Sequence, residues 1–426
     1  MDTSDSTPMT ATSAMAPLES VDRLRTLDVV RGFALCGIAL MNVEFFTRPL
    51  SDAGSGIAAG QGPLDWLADA FVYVFVQGKF WTMFSMLFGM GFAVMAQRAD
   101  SAGRHFVPIY LRRTGMLMLI GVLHAVFVWS GDVLFAYSLG ALALLTLRSL
   151  PPLATWLGGG LLYLMVVGML VLAAMATAMG MPDPTSGAAA AKTNALREAE
   201  IAAYSAAPYL QACAVRLRYF VAQFSGLVAL LPMVLGMFLI GSGLVRSGAI
   251  RDPDAHPVLY RRLLWIGGPL GLLLTVASVL LSADPVHPGT AMNARDLLAT
   301  ALHLLGAPLM ALAYLSVLIR AVHRGPGLFD ALAPAGRMAL TNYLLQSVIG
   351  TLVFYGYGLG LWGDVGRAGQ LLGTCAVLAA QLLWSHGWMT RHHFGPMEWL
   401  WRAVTYLQWP PMRRRPGDAG SGVLHG

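Results

Sequence analysis

Long apolar stretches alternate with short polar connections along most of the chain, and this alternation predicts an all-α fold. A helix needs roughly 20 apolar residues to cross about 30 Å of hydrocarbon. Ten stretches reach or approach that length: 27–46, 79–97, 111–130, 133–147, 153–178, 224–245, 263–281, 297–319, 338–357 and 368–388. We therefore expect an all-α polytopic membrane protein with about ten transmembrane helices in one bundle, surrounded by the lipid bilayer.

The remaining segments complete the expected organisation. Residues 1–22 are rich in Ser, Thr, Pro and Met and residues 410–426 are basic, and we expect them to be disordered cytoplasmic tails that flank a transmembrane domain at 23–409. Residues 180–221 form a long outer loop whose Ala-rich centre indicates a surface helix. Residues 64–76 are aromatic but too short to span alone, so we expect them to lie in the outer interface or to extend the second helix.

The composition supports a membrane protein and argues against nucleic acid as a partner. Hydrophobic residues make up 56% of the 426 residues and charged residues 12%, whereas soluble domains usually carry about 25% charged residues. The net charge of +6 comes from arginines in short clusters, without a basic face interleaved with aromatic residues. With the N-terminus inside, most arginines lie on the cytoplasmic side, as the positive-inside rule requires.

Cysteine and histidine spacing predicts neither a metal site nor a disulfide. Cys36, Cys213 and Cys375 are far apart and lack the spacing of metal ligands. His392 and His393 are adjacent, which is a poor spacing for chelating one ion from a helix. We expect no metal and no tightly bound cofactor.

Ionisable side chains within spanning helices are costly and mark candidate functional positions. In the first helix, Asp28 and Arg31 share one face near the cytoplasmic end and can pair. The alternative is an aspartate at the helix dipole beside an arginine that extends to the interface. At the outer end, the Asn42 amide suits a developing oxyanion and the Glu44 carboxylate suits a general base. The alternative there is a polar pair facing interfacial water.

The third and fourth predicted helices form a tight hairpin that carries His124 and Asp132. If the hairpin turns Asp132 back towards His124, the two form a general base and the carboxylate that orients it. The alternatives are a structural histidine with a satisfied hydrogen bond and an aspartate that caps the fourth helix.

Polar residues of the eighth and ninth predicted helices are candidates for a substrate pathway together with Asp28. His303 lies in the eighth helix, and Thr341, Asn342 and Gln346 lie in the ninth. At such positions polar side chains more often hold helices together than bind a substrate.

Five sequence blocks, in order, resemble the YeiB family of bacterial inner-membrane proteins, the domain of unknown function numbered 418. The blocks are LDVVRGFALCGIALMNVEFF, KFWTMFSMLFGMGFAV, LIGVLHAVFVWSGDVLFAYSLGAL, GRMALTNYLLQSVIGTLVFYG and HHFGPMEWLWRAVTY. The resemblance covers nearly the whole chain and implies a multi-pass protein of the bacterial inner membrane. Transport is the older suggestion for that family.

The opening block is also similar to the first helix of heparan-α-glucosaminide acetyltransferase and related transmembrane acyltransferases. Those proteins pass an acyl group from cytoplasmic acyl-CoA to an acceptor on the far side of the membrane, and Asn42 matches their active-site asparagine. Their catalytic histidine lies in the following outer loop, whereas residues 47–64 contain no histidine here. Glu44 or His124 would have to fill that role.

The first hypothesis is therefore an acyltransferase with acyl-CoA as co-substrate and a sugar, lipid or other small molecule as acceptor. Guanidinium groups bind phosphate through two parallel hydrogen bonds. The candidates to hold the CoA phosphates are Arg31, Arg337, Arg391 and Arg402.

Two further hypotheses come from other classes of protein. A transporter would use interrupted helices such as those at Pro232, Pro269 and Pro308. A non-catalytic scaffold or sensor would need none of the intramembrane polar residues. The sequence leaves the oligomeric state open.

Overall fold

The computed structural model describes residues 25–54, 56–58, 60–103, 105–181, 186–282 and 292–414. The expected tail at 1–22 lies outside these ranges, as do residues 415–426 of the expected C-terminal tail. The described helices are α1 (Arg25–Asn42), α2 (Pro63–Phe71), α3 (Lys79–Ser101), α4 (Phe106–Phe127), α5 (Leu134–Thr146), α6 (Pro152–Ala178), α7 (Ser186–Ser205), α8 (Tyr209–Ala222), α9 (Leu227–Arg246), α10 (Pro257–Arg262), α11 (Gly268–Leu281), α12 (Ala294–His323), α13 (Ala333–Arg337), α14 (Ala339–Phe354), α15 (Arg367–Arg391) and α16 (Pro396–Tyr406).

The predicted membrane class is confirmed, since each of the ten predicted stretches overlaps one of these helices over most of its length. Seven described segments are long and apolar enough to cross a membrane: Pro63–Ser101, Phe106–Phe127, Pro152–Ala178, Leu227–Arg246, Pro257–Leu281, Ala294–His323 and Arg367–Arg391. The helices α5 and α14 are apolar but shorter. The 18 residues of α1 include Arg25, Asp28 and Arg31 near its start. The protein is an all-α polytopic membrane protein.

The aromatic segment at 64–76 is helical and leads directly into α3, but a break in the helical backbone separates the two. After α2 the backbone makes one π-helical turn, Val72–Val76. Gln77 is then extended (φ −60°, ψ 134°), and Gly78 has a φ of 79°. A positive φ costs glycine little, because glycine has no Cβ to clash with the backbone. The chain can therefore change direction here before α3 begins at Lys79.

The helix α1 runs through the middle of the bundle. We refer to the two faces of the protein by the residues at the two ends of this helix, as the Arg25 end and the Asn42 end. Val29, Val30 and Ala34 are fully buried. At the Arg25 end, the Arg25 guanidinium pairs with the Asp330 carboxylate in the connection between α12 and α13. The opposite face is the Asn42 end.

The helices α7 and α8, from the expected outer loop, pack over the Asn42 end. Tyr204 of α7 stacks on Tyr355, with 4.3 Å between the ring centroids. Arg216 of α8 is fully buried and donates to the carbonyl oxygen of Phe127 at the end of α4 (3.2 Å). Both helices are therefore part of the packed structure.

Close helix contacts in the bundle are made at glycines. A Cβ at Gly159 of α6 would lie 2.7 Å from the carbonyl oxygen of Gly236 of α9. Likewise, a Cβ at Gly306 of α12 would lie 2.6 Å from the carbonyl oxygen of Gly271 of α11. Lipid tails are as apolar as leucine, so helices in a membrane associate through such close packing rather than through the hydrophobic effect.

We expect Gly159→Leu to lower the thermal unfolding midpoint in detergent, because overpacking of this kind costs about 1–3 kcal/mol. The matched control is Gly160→Leu in the same helix, where no neighbouring heavy atom lies within 4 Å of the added Cβ. Tryptophan fluorescence during heating measures both midpoints. Equal midpoints for the two variants would contradict the packing described here.

Candidate functional site

A buried ion network closes the Asn42 end of the bundle. The Arg367 guanidinium, 1% exposed, contacts the Glu44 carboxylate through Nη2 (3.0 Å) and the Asp69 carboxylate through Nε (3.0 Å). Its third nitrogen donates to the Gln370 side-chain oxygen (3.0 Å). The second oxygen of Glu44 accepts from the backbone amide of Gly54 (3.2 Å). This arrangement fits a structural role for Glu44 better than that of a general base.

His124 and Asp132 meet across the α4–α5 hairpin. His124 Nδ1 lies 2.8 Å from Asp132 Oδ1, and both side chains are 1% exposed. The other oxygen of Asp132 accepts from the amide of Phe135 in the first turn of α5 (2.9 Å). Asp132 therefore both caps α5 and orients the imidazole. His124 Nε2 is buried and makes no hydrogen bond to any described residue.

A cleft of about 340 Å³ opens beside this pair at the Asn42 end. Asn42 and Asp132 line it, and the rest of its wall is mostly apolar and aromatic, including Leu50, Trp129 and Tyr219. His124 does not line the cleft; its ring lies behind Asp132, 5.3 Å from the Tyr343 ring between centroids. The structure thus brings Asn42 and Asp132 to one cleft and places His124 next to it.

The outer helix α7 holds one wall of this cleft through a buried carboxyl. Glu200 is 1% exposed, and its Oε2 accepts from the backbone amide of Leu50 (3.1 Å). Beside it, Arg197 and Asp52 form an ion pair (2.8 Å). Burial raises the pKa of Glu200 to about 8 from an ordinary value of 4.5, and the amide of Leu50 partly opposes this shift.

Arginines gather at the opposite, Arg25 end. Arg31 Nη1 contacts Asp28 Oδ1 within α1 (2.9 Å), as the spacing predicted. Arg113 of α4 lies over the Trp401 ring, 3.7 Å from its centroid, and within electrostatic range of Arg31 and Arg402. Three guanidinium groups and an indole ring therefore share this end of the bundle.

The predicted phosphate site has two further arginines, Arg337 of α13 and Arg391 of α15. Arg337 donates to the carbonyl oxygen of His393 (3.2 Å), whereas the side chain of Arg391, at the end of α15, is exposed.

Glu398 of α16 accepts from Thr341 Oγ1 (2.5 Å) and from the amide of Leu340 (2.6 Å) at the start of α14. Thr341 is thus occupied in joining α14 to α16.

The remaining predicted pathway residues of α14 join two helices. Asn342 Nδ2 donates to Ser385 Oγ of α15 (2.9 Å). Gln346 Nε2 donates to Gln381 Oε1 (2.8 Å), one turn away. These contacts match the helix-joining interpretation of Asn342 and Gln346.

His303 lies elsewhere, at the break before α3. Its ring is 7% exposed and stacks on the Tyr73 ring with 4.5 Å between centroids. Lys79, the first residue of α3, is fully buried beside it. The structure therefore separates His303 from both the cleft and the arginine cluster.

Sequence reasoning missed Arg367, Asp69 and Arg113 as members of these sites. Arg367 and Asp69 read as residues of an outer loop and an interfacial segment, and Arg113 as one of the cytoplasmic arginines. The sequence did offer one signal for Arg367: a carboxylate such as Glu44 within the membrane needs a cationic partner. In the described ranges no group of three or more His, Cys, Asp or Glu residues is placed to hold a metal ion.

We expect Glu200→Gln to remove part of the pH dependence of stability. Because the folded-state pKa of Glu200 lies above its ordinary value, the folded protein holds a proton that the unfolded chain has lost between pH 4.5 and about 8. The stabilisation from this group is complete below that window and falls as the pH rises through it. Thermal midpoints across the window measure this. A wild-type decline identical to that of Glu200→Gln would contradict it.

Arg367→Met should destabilise the protein by about 3–5 kcal/mol, because two buried carboxylates would lose their shared cation. Arg48 provides the matched control, since it contacts the same Glu44 carboxylate (3.4 Å) with a side chain that is 30% exposed. Arg48→Met should cost at most about 1 kcal/mol. Denaturation in detergent compares the two variants, and similar losses from both would refute the buried network.

The family of the chain follows from its similarity to known proteins. A family model described as "Protein of unknown function (DUF418)" matches residues 244–408. The uncharacterized protein YeiB of Escherichia coli is 31% identical over 402 residues, which cover 90% of this chain and 97% of YeiB. The uncharacterized protein YxaH of Bacillus subtilis is 30% identical over 418 residues, which cover 95% of this chain and 99% of YxaH. The chain therefore belongs to the YeiB-like DUF418 family.

Proposed function

We propose that this protein is a membrane acyltransferase, which moves an acyl group from acyl-CoA at the Arg25 end to an acceptor at the Asn42 end. The observation that carries the proposal is the His124–Asp132 pair (2.8 Å) next to a cleft that Asn42 and Asp132 line. A carboxylate-oriented imidazole and a carboxamide are the groups that acyl transfer needs.

The proposed orientation puts the Arg25 end in the cytoplasm. Arginines are concentrated in the connections at that end, and basic residues favour the cytoplasmic side of an inner membrane. Both termini are then cytoplasmic. Acyl-CoA is a cytoplasmic metabolite, so this orientation gives the arginine cluster access to it.

Arg31, Arg113 and Arg402 form the proposed donor site. Like charges gathered at a partly buried site repel one another, and a polyanion removes that repulsion. The phosphates of CoA supply such an anion, and guanidinium groups bind phosphate through paired hydrogen bonds. The aromatic ring of Trp401 beside Arg113 offers a stacking surface for the adenine.

The transfer step follows from the tautomer that Asp132 favours. The carboxylate accepts the Nδ1 proton of His124, so Nε2 holds the free electron pair. Nε2 takes the proton from an acceptor hydroxyl or amine as its oxygen or nitrogen attacks the thioester carbonyl. The Asn42 amide donates to the oxyanion, the carbon–sulfur bond breaks, and the CoA thiolate leaves and takes up that proton. The products are the acylated acceptor and CoA.

This step requires a rearrangement at the hairpin. His124 Nε2 is buried, and the ring does not belong to the cleft wall. Trp129 lines the cleft and its ring lies 6.3 Å from the His124 ring between centroids. A movement of Trp129 would open the path between the imidazole and the acceptor, which is the kind of gating that many active sites use.

The wall of the cleft indicates the class of acceptor. Its volume of about 340 Å³ lies at the small end of ligand sites. Asn42 and Gln223 contribute polar groups, while Phe45, Phe220 and Phe224 contribute aromatic surface. A sugar or lipid head group with one apolar side fits this mixture.

A solute transporter is the second candidate, and the break between the α2 segment and α3 favours it. Interrupted helices in membrane proteins often mark substrate sites. Here the interruption at Gln77 and Gly78 carries a buried lysine next to a buried histidine.

The test is binding of acetyl-CoA and longer acyl-CoAs to the purified protein in detergent. We expect saturable binding that Arg113→Ala weakens at least about tenfold, the loss of one charge-assisted contact of about 1.4 kcal/mol or more. His124→Gln should leave donor binding unchanged, because it lies at the other end of the bundle. Free CoA and ATP serve as competitors.

The matched control is Arg148→Ala, an exposed arginine after α5 that should not affect binding. Arg113→Lys, which keeps the charge, should retain more affinity than Arg113→Ala and guards against a folding defect. Absence of binding for every acyl-CoA by folded wild-type protein would refute the acyltransferase and leave transport as the stronger candidate.

A further inference from the structure

Lys79 is a buried lysine that has no carboxylate partner among the described residues. Its side chain is fully buried, and Nζ donates to the backbone carbonyl oxygen of Tyr73 (2.9 Å). A lysine at the start of a helix can usually extend its flexible stem towards water. Here the stem folds back into the break instead, which places a cationic group inside the protein.

His303 faces the same break from α12. A Cβ at Gly78 would lie 3.0 Å from His303 Nε2, so this nitrogen points at the glycine of the break. Neither ring nitrogen makes a hydrogen bond of standard geometry to a described residue, although the Gln77 carbonyl is nearby. A buried polar atom without a partner is rare in proteins and needs an explanation.

The choice of lysine at position 79 is itself informative. The sequence contains 26 arginines and two lysines, Lys79 and Lys192. A lysine ammonium is a compact point charge, whereas a guanidinium is a wide planar fork. Position 79 therefore carries the rarer of the two cations in this sequence.

We propose that Lys79 and His303 form a binding site for a monocarboxylate at the break before α3. The carboxylate would accept from the ammonium with one oxygen and from the imidazole N–H with the other. The first amides of α3 add positive potential, because the first turn of a helix has no acceptors for them. The proposal does not depend on the acyltransferase.

A monocarboxylate fits this site better than a phosphate. One ammonium and one imidazole N–H match the two oxygens of a single negative charge. A phosphate dianion presents three oxygens and is usually held by arginine forks or a longer row of amides. The Tyr73 ring lies on His303 and its hydroxyl bonds to Ser278 Oγ (3.0 Å), so two neutral side chains border the site.

A purely structural role for Lys79 is the competing explanation. Its contact with the Tyr73 carbonyl satisfies an orphan acceptor at the end of the π-helical turn, as basic residues often do at helix ends. That contact accounts for Lys79 alone. It does not account for His303, whose ring nitrogens make no hydrogen bond of standard geometry to a described residue and whose N–H would donate to the carboxylate.

The test uses the full chain in liposomes, labelled with [6-¹³C,ε-¹⁵N]lysine, so that solid-state NMR shows two side-chain signals. Sodium acetate should shift the Lys79 signal saturably, while sodium chloride at equal ionic strength should not. Lys192, exposed on α7, is the internal control. His303→Gln should weaken the acetate response about tenfold, by the loss of one buried hydrogen bond to a charged group.

Each arm of the experiment decides one point. A response to acetate supports a soluble acid as the ligand, and a response to oleate alone supports a fatty acid from the bilayer. No saturable response to either carboxylate would overturn the site, as would tighter binding of inorganic phosphate. Because the wild-type signals suffice for these outcomes, a variant that fails to fold does not prevent the decision. Acyl-CoA binding at the Arg25 end is measured separately, so either proposal can fail alone.

Discussion

Lipid offers a buried polar group no partner, so each charge within this bundle must be matched inside the protein. The Arg367 guanidinium meets this requirement by contacting Glu44, 323 residues away in sequence, and Asp69, 298 residues away. The same contacts fix the far end of α1, the α2 segment and the start of α15 relative to one another. Gly54 is held by Glu44, so the loop whose Leu50 forms part of the cleft wall is also positioned by this network.

At both candidate sites, buried polar atoms have no hydrogen-bond partner of standard geometry among the described residues. His124 has one nitrogen on Asp132 and the other without a hydrogen-bond partner among the described residues. Neither ring nitrogen of His303 makes a hydrogen bond of standard geometry to a described residue. By contrast, the side-chain nitrogens of Asn342 and Gln346 donate to partners on α15, as the bonds that join helices require. The side-chain oxygens of Asn342 and Gln346 are themselves buried without a hydrogen-bond partner among the described residues, so an unmet hydrogen bond marks a candidate functional group only where other observations also point to a ligand.

The helix α1 runs from the proposed donor site to the proposed site of acyl transfer. Arg31 and Asn42 are eleven residues apart, which is roughly 16 Å along a helix axis. One rigid helix thus carries a member of the donor cluster at one end and the candidate oxyanion donor at the other. The extended pantetheine arm of CoA is the part of the donor that would cover such a distance.

The sequence by itself determined the membrane class and the ten helical stretches, and it indicated which pairs close along the chain could meet. Asp28 and Arg31 pair because three residues bring two side chains onto one helical face, and His124 and Asp132 were within reach because a tight hairpin separates them. Tertiary structure alone decided the contact of Arg367 with Glu44, the proximity of Arg113 to Arg402, and the position of His303 at the break. Those partners come from distant helices, and their meeting depends on how each helix is rotated and packed. Hydropathy and residue spacing report only which residues are apolar and which are neighbours on one helix.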